Sequence, residues 1–192
     1  LARNVDVGSR VQAGDVLTAR GELVRQVASA GAPLPAWLMQ SDVQLMEGGA
    51  AAAATTLRAA LQRWPAHPAL VAQLARVQLL SDRVDEAAAT LAPAQGTPHA
   101  ELAMVRAELA RRRGDAPATL AAYTQATQLA PQDARGWQGL GSAHAEREDA
   151  TPARAHLQQA LGVLQCQPHA STGQARQQAV VRRHMGRQHA GQ

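Results

Sequence analysis

The residues of this chain that could do chemistry are few, and the densest group lies near the C-terminus. It comprises Cys166, His169, His184 and His189. Thiolate and imidazole are ligands that zinc binds well, so the group is a candidate tetrahedral site. However, 14 residues separate His169 from His184, and no acidic residue lies nearby to orient the imidazoles. The spacing therefore predicts no metal site, and nothing else in the sequence suggests a cofactor.

Motifs for catalysis are missing as well. The sequence has no glycine-rich phosphate loop, no Gly-x-Ser-x-Gly elbow and no His-Glu-x-x-His helix. Arg113-Gly114-Asp115 spells an integrin-type tripeptide, but a turn glycine between a basic helix end and a capping aspartate explains all three residues. We therefore expect no enzymatic activity and no small-molecule substrate.

Composition and charge limit the class of partner. Apolar residues make up 46% of the 192 residues but aromatic residues only 2%, which favours helices packed through alanine and leucine. All 19 basic residues are arginine, which is typical of a GC-rich genome and suggests a bacterial source. The net charge of +4 comes from four arginines in residues 168–192, since the rest of the chain has 15 basic and 15 acidic residues. A neutral body disfavours nucleic-acid binding.

The sequence says little about the compartment. No stretch approaches about 18 uninterrupted apolar residues, so no membrane span is predicted. Cys166 is the only cysteine, which excludes an internal disulfide. The chain begins with Leu1 rather than methionine, so we expect its N-terminus to be incomplete. The expectation is a soluble protein, either cytoplasmic or periplasmic.

An internal repeat sets the elements that would position any functional residue. Four columns of residues recur at spacings of 34, 32 and 34. They are Ser41, Ala75, Ala107, Gly141; Ala53, Ala87, Thr119, Ala153; Leu57, Leu91, Tyr123, Leu157; and Ala60, Ala94, Ala126, Ala160. Small residues let two helices cross closely, and the larger residue between them fills the hole beside the crossing. One hairpin cannot bury its apolar stripe alone, so such units stack.

The repeat predicts an all-α solenoid of four antiparallel helical hairpins. First helices are predicted near 35–47, 68–81, 100–113 and 134–147, and second helices near 50–63, 84–94, 116–129 and 150–164. Gly48 and Gly114 would supply tight turns within hairpins. Thr151 followed by Pro152 is typical of a helix start, with the threonine as cap.

The repeats resemble a known family. The last one reads Trp137-x-x-Leu140-Gly141-x-x-His144, followed by the Ala, Leu and Ala of the columns. This resembles the tetratricopeptide repeat family, whose pattern is Trp-x2-Leu-Gly-x2-Tyr, then Ala-x3-Phe, then Pro. The resemblance covers four repeats, 34–67, 68–99, 100–133 and 134–167, although His144 replaces the family's tyrosine. It implies a TPR-like superhelix and a non-enzymatic protein-binding scaffold.

The resemblance also implies a binding face. First helices line the inner groove of these arrays, and two columns lie four residues apart on them, hence on one face. They are Leu38, Ala72, Met104, Gln138 and Asp42, Arg76, Glu108, Ser142. We expect these side chains to grip a peptide segment of a partner protein through charge and apolar contact. A solvated ladder of weak charge pairs is the alternative. The family subclass that holds acidic tails with Lys and Asn is not expected, because neither residue type occurs in these two columns.

Two flanking segments complete the chain. In residues 1–33 a helix is predicted near 15–29, with a short β-hairpin as the alternative, and no structure is predicted for 1–14. This segment is interpreted as the end of a missing upstream region. Residues 168–192 are predicted to form a basic capping helix, near 171–187, and a tail. The alternative function is therefore an accessory region of a larger bacterial protein, such as an envelope export apparatus or an enzyme.

Overall fold

A computed structural model of the chain describes residues 31–166, together with Gly21, residues 24–27 and Ser29. These residues form α-helices joined by short turns, with no β-strand among them. They divide into two compact units, unit 1 (residues 1–96) and unit 2 (residues 97–192). The predicted all-α fold of helical hairpins is confirmed.

Unit 1 contains two helical hairpins. Its helices are α1 (Leu34–Met46), α2 (Ala50–Arg63), α3 (Pro68–Leu80) and α4 (Val84–Leu91), the last extended by a 3₁₀ turn at Ala92–Ala94. Each helix packs on the next, so α2 contacts both α1 and α3. Proline occupies the first turn of α1 and of α3, where its missing N–H costs no intrahelical hydrogen bond.

Unit 2 repeats this arrangement. Its helices are α5 (Ala100–Arg112), α6 (Ala116–Leu129), α7 (Ala134–Glu146) and α8 (Ala150–Cys166), again each packed on the next. The bounds of the helices α1 to α8 agree with the predicted ones within two residues, except that α4 reaches position 94 only through its 3₁₀ turn. The cap predicted at Thr151 is wrong, because α8 begins one residue earlier.

The small-residue columns form the contacts between helices. Every column residue is buried except Tyr123, which is half-buried. The fit is tight at Gly141, where an added Cβ would lie 2.8 Å from Cγ of Leu157 and 3.2 Å from the carbonyl oxygen of Ala153. Carbon atoms pack at about 3.5–4.0 Å, so a larger residue at this position would push α8 away from α7.

The turn inside each hairpin repeats one backbone geometry. Gly48, Asp82, Gly114 and Glu148 are equivalent in the four hairpins, with φ angles of 78°, 58°, 72° and 62°. The N–H of the following residue donates to a carbonyl oxygen five residues earlier, over 2.8 to 3.0 Å in the four hairpins. This bond closes the C-terminus of the first helix and needs a left-handed residue, which glycine adopts freely and other residues adopt under strain.

The turn predicted at Arg113-Gly114-Asp115 has the expected parts. Gly114 takes the left-handed conformation, and an Asp115 side-chain oxygen accepts a hydrogen bond from the N–H of Ala118 at 2.9 Å. Asp115 is thus the N-cap of α6.

The flanking segments are described only in small part. Gly21 and residues 24–27 are helical, in agreement with the helix predicted near 15–29. Residues 1–20 and the capping helix predicted near 171–187 lie outside the described residues. The division into four repeats with these flanks stays a prediction.

Replacing Ala126 with leucine should lower the free energy of unfolding by about 1–3 kcal/mol, because three more carbon atoms must fit where α6 meets its neighbours. Ala126 is 1% exposed, whereas Gln128, two residues away, is exposed. Gln128→Ala should therefore be nearly neutral. Urea unfolding followed by circular dichroism measures both, and equal stability of the two variants would contradict the packing described here.

Replacing Glu148 with glycine should raise the free energy of unfolding by about 1 kcal/mol, since the left-handed conformation costs a non-glycine residue roughly 1–2 kcal/mol. The matched change is Gly114→Ala, where an added Cβ would meet no atom within 4 Å. This variant should lose a similar amount, through backbone strain alone. If neither variant shifts the urea midpoint, the turn geometry is not a source of strain.

Candidate partner-binding surface

A cleft in unit 2 collects polar side chains from three helices. Its volume is about 420 Å³. It is lined by Glu108 and Arg111 of α5, Tyr123 of α6, and Arg135, Gln138, Gly139, Ser142 and Glu146 of α7. The lining residues of α7 recur every three or four positions and so share one face of that helix. We call this surface the unit 2 cleft.

Tyr123 enters the unit 2 cleft because α7 has a glycine opposite it. An added Cβ at Gly139 would lie 2.2 Å from Cε1 of the Tyr123 ring, so only glycine leaves room for the ring. Leucine occupies the equivalent column position in the other three repeats. Burial, and then the charge of Glu108, raise the pKa of Tyr123, so its hydroxyl stays protonated at neutral pH and remains a hydrogen-bond donor.

The charged side chains of the unit 2 cleft pair with one another. Arg111 donates from Nε and Nη2 to the two carboxylate oxygens of Glu108, at 3.0 and 2.8 Å. Arg112 donates to the same carboxylate at 3.0 Å, and Glu146 lies 3.9 Å from Arg111. The bond to Glu108 is the main cause that raises the pKa of Arg111. Exposed pairs of this kind contribute only about 0–1 kcal/mol, so their main effect is to orient the side chains.

Arg135 is held by two carboxylates. Its Nη2 lies 2.6 Å from Asp133 Oδ2 and also donates to Glu101. The hydrogen bond to Asp133 makes the largest contribution to the raised pKa of Arg135, and the hydrogen bond to Glu101 raises that pKa further. Since Glu101 lies in the first turn of α5 and Arg135 in that of α7, the pair joins successive hairpins of unit 2.

Two polar side chains of the unit 2 cleft form no hydrogen bond with the described residues. Gln138 and Ser142 lie four residues apart on α7 and are half-buried. Neither side chain hydrogen-bonds to any residue that the structure describes. An amide and a hydroxyl supply both donors and acceptors, which is the set that a peptide backbone needs.

In unit 1, the predicted contact residue Asp42 is engaged within the protein. Gln73, which is 8% exposed, donates from Nε2 to Asp42 Oδ1 at 2.6 Å and to Ser41 Oγ at 2.7 Å. The bonds join α3 to α1. They satisfy a buried amide that would otherwise destabilise the fold.

The remaining predicted residues differ in exposure. Ala72 is 1% exposed and offers no side-chain surface to a partner. Leu38 packs against the unit 1 core, and Arg76 is half-buried on α3. Met104 is half-buried on α5 and is not part of the lining of the unit 2 cleft.

The structure thus brings three predicted residues together and adds others. Glu108, Gln138 and Ser142 all line the unit 2 cleft. Sequence reasoning did not select the other lining residues of the cleft. It treated Tyr123 as a core residue of its column, although a tyrosine among leucines, with a glycine 16 positions later, is a signal of an altered contact.

Three aromatic rings stack in the last hairpin. The His156 ring lies 5.8 Å from Trp137 and 5.4 Å from His144, nearly parallel to both. His144 Nδ1 is 3.5 Å from Asp149 Oδ2. The pKa of Asp149 is lowered mainly by its hydrogen bond with Arg147 and, to a smaller extent, by that with His144. Burial, and then His144, lower the pKa of His156.

The residues that the structure describes contain no cluster of three or more histidine, cysteine, aspartate or glutamate side chains arranged to hold a metal ion. None of the helices that the structure describes is long and apolar enough to cross a membrane. The histidines proposed with Cys166 lie outside these residues, so the metal prediction is untested for them.

Stacked helical hairpins are the architecture of helical repeat proteins. Residues 44–109 match the sequence profile of the family described as Tetratricopeptide repeat. A comparison with curated protein sequences gives no significant match.

Solved structures share the fold. MamA, from residue 41 to its end, of Desulfovibrio magneticus RS-1 is 15% identical with a TM-score of 0.62, and the match covers 88% of this chain and 96% of that one. TTC0263, a thermophilic TPR protein of Thermus thermophilus, is 24% identical with a TM-score of 0.58, over 66% of this chain and 72% of that one. YrrB, described as a TPR protein with an unusual peptide-binding site, is 15% identical with a TM-score of 0.54, over 82% of each chain.

Residues 44–109 thus carry a tetratricopeptide repeat profile, and the chain shares the fold of tetratricopeptide repeat proteins of known structure. The chain therefore has a fold used for protein interaction.

The lowered pKa of His156 predicts a pH-dependent stability. The unfolded chain takes up the proton first as the pH falls, so the free energy of unfolding should be constant above about pH 7 and decrease below about pH 6.5. His156→Gln removes the titrating ring and should flatten this dependence. Urea unfolding between about pH 8 and pH 5, a range that spans the ordinary pKa of histidine, measures the pH dependence of the free energy of unfolding. Equal slopes for both proteins would contradict the prediction.

Proposed function

We propose that this protein binds a peptide segment of a partner protein, and that the unit 2 cleft is a contact surface for it. The observation that carries the proposal is the uncommitted pair Gln138 and Ser142, placed four residues apart beside the Tyr123 phenol in a cleft of about 420 Å³. The description of YrrB as a TPR protein with a peptide-binding site supports the class of ligand.

The paired charges limit how the segment would be recognised. Glu108 is already engaged by two arginines, and Arg135 by two carboxylates. A ligand that took one of these charges would first have to break an existing pair, which offsets the gain. The amide of Gln138 and the hydroxyl of Ser142 carry no such cost. We therefore propose recognition of the main chain of an extended segment, with Tyr123 giving an aromatic contact.

The groove predicted from the repeats is longer than this surface. Leu38, Asp42 and Arg76 of unit 1 belong to the same columns, and a channel through all four hairpins stays a prediction. The alternative, an accessory region of a larger bacterial protein, also stays a prediction. It concerns the context of the chain and is compatible with the same peptide contact.

Filling the unit 2 cleft should weaken peptide binding. A phage library of random twelve-residue peptides is selected on the immobilised protein, and recovered peptides are measured by fluorescence polarisation. Ser142→Arg places a long side chain in the cleft. It should raise the dissociation constants of these peptides by roughly tenfold or more, as expected for loss of a central contact. Gln128→Arg makes the same charge change at an exposed position and should leave affinity unchanged.

Circular dichroism of both variants is the control for folding. If Ser142→Arg is folded and its peptides bind as tightly as to the unaltered protein, the unit 2 cleft is not the contact. Arg76→Glu in the same assay tests the unit 1 column, where reversal of a charge should weaken binding if the longer channel exists.

A further inference from the structure

A second cleft lies in unit 1, on residues that the proposed peptide contact does not use. Its volume is about 130 Å³. It is lined by Ala50, Ala51, Ala54, Thr55 and Arg58 of α2 and by Val77, Gln78, Ser81 and Arg83 at the end of α3 and its turn. We call it the α2 cleft.

Gln78 is a buried amide without a hydrogen bond. The residue is 5% exposed, and its Oε1 atom has no partner among the described residues. A 180° rotation of the amide exchanges its oxygen and its NH₂ group, so the same position can hold a hydrogen-bond donor. Unpaired buried amides destabilise a fold, so one that lines a cleft indicates a group that binds there.

The N-terminus of α2 adds donors to the same cleft. Its N-cap is Gly49, which provides no side-chain hydrogen bond, and the first intrahelical bond comes from the N–H of Ala53. The N–H groups of residues 50–52 therefore precede the helical ladder and point away from it. Because α2 has 14 residues, its dipole places a partial positive charge at this end, which favours an anion.

Two arginines extend the positive side of the α2 cleft. Arg58 and Arg83 line it, and each lies near the carboxylate of Glu86, at 3.5 and 3.4 Å. These distances are at the upper limit for hydrogen bonds, and the arginine side chains are about half exposed. A carboxylate inside the cleft could therefore be bound at shorter distance without first breaking a strong pair.

We propose that the α2 cleft binds a carboxylate group, supplied by an acidic side chain of a partner segment. Its volume accommodates about four water-sized groups, which matches a carboxylate with one methylene. The NH₂ group of Gln78 would donate to one oxygen, and the N–H groups of α2 and the arginines to the other. The site is separate from the unit 2 cleft and does not depend on the proposed peptide contact there.

Free acetate is the first probe. Sodium acetate is titrated into the ¹⁵N-labelled full chain at constant ionic strength, with sodium chloride as the reference, and amide signals are followed by NMR. Saturable shifts of the backbone amides of Ala50 and Ala51 and of the Gln78 side chain, absent with chloride, are expected. Shifts that stay linear, or that equal those with chloride, would overturn the proposal.

Variants assign the contacts. Gln78→Leu and Arg83→Gln should each weaken acetate binding by roughly tenfold, since each removes a donor to the charged group. Arg113→Gln makes the same charge change in unit 2 and should have no effect. If Gln78→Leu disturbs folding, Arg83→Gln decides the outcome. Unchanged binding by a folded Arg83→Gln variant would contradict the assignment.

Peptides distinguish the source of the carboxylate. Ac-Gly-Glu-Gly-NH₂ should bind more tightly than acetate, and Ac-Gly-Gln-Gly-NH₂ should not bind, if the ligand is an acidic side chain of a protein. Binding of acetate with no gain for the glutamate peptide would overturn the assignment to a protein segment. Equal binding of the glutamine peptide would overturn the selection for charge.

Discussion

The close crossing of helices at columns of small residues is the constraint on which the rest of this structure depends. At Gly141 even one added carbon would lie 2.8 Å from Leu157, so a larger residue there would force the two helices of the last hairpin apart. The turns must then reverse the chain at the same point in every hairpin. This explains why Asp82 and Glu148 adopt the left-handed conformation that glycine supplies in the other two turns.

The candidate surface arises where one repeat departs from this pattern. In the leucine column, Tyr123 introduces a ring that is too long for the space beside a crossing, and Gly139 on the next helix provides the room. The ring packs against α7, the first helix of the next hairpin. It brings a protonated phenol to the surface beside Gln138 and Ser142. A local exception to a repeat is where a functional site is expected, because packing alone does not require it.

Helix bounds were predictable because they depend on periodic local signals, namely small residues, turn glycines and prolines. The site was predictable only in part. Glu108, Gln138 and Ser142 could be identified because each lies on the predicted face of its helix. The hydrogen bond from Gln73 to Asp42 and the burial of Ala72 could not be predicted, because both depend on a neighbouring helix. In the same way, Arg111 and Arg135 resemble any exposed arginine in the sequence, and only the packing of α5, α6 and α7 brings them to one cleft.

Charge pairing explains why neutral groups matter most in the unit 2 cleft. Glu108, Arg111, Arg135 and Glu146 are held by partners inside the unit, so the net charge that they present to a ligand is small. Long-range attraction then contributes little, and selection depends on short-range hydrogen bonds of defined geometry. The α2 cleft differs, because its lining includes a helix N-terminus and two arginines that lie 3.5 and 3.4 Å from Glu86. The proposed neutral contact of unit 2 and the proposed anion site of unit 1 thus use different parts of one repeat architecture. The first uses the faces of α5, α6 and α7, and the second uses the N-terminus of α2 together with the end of α3.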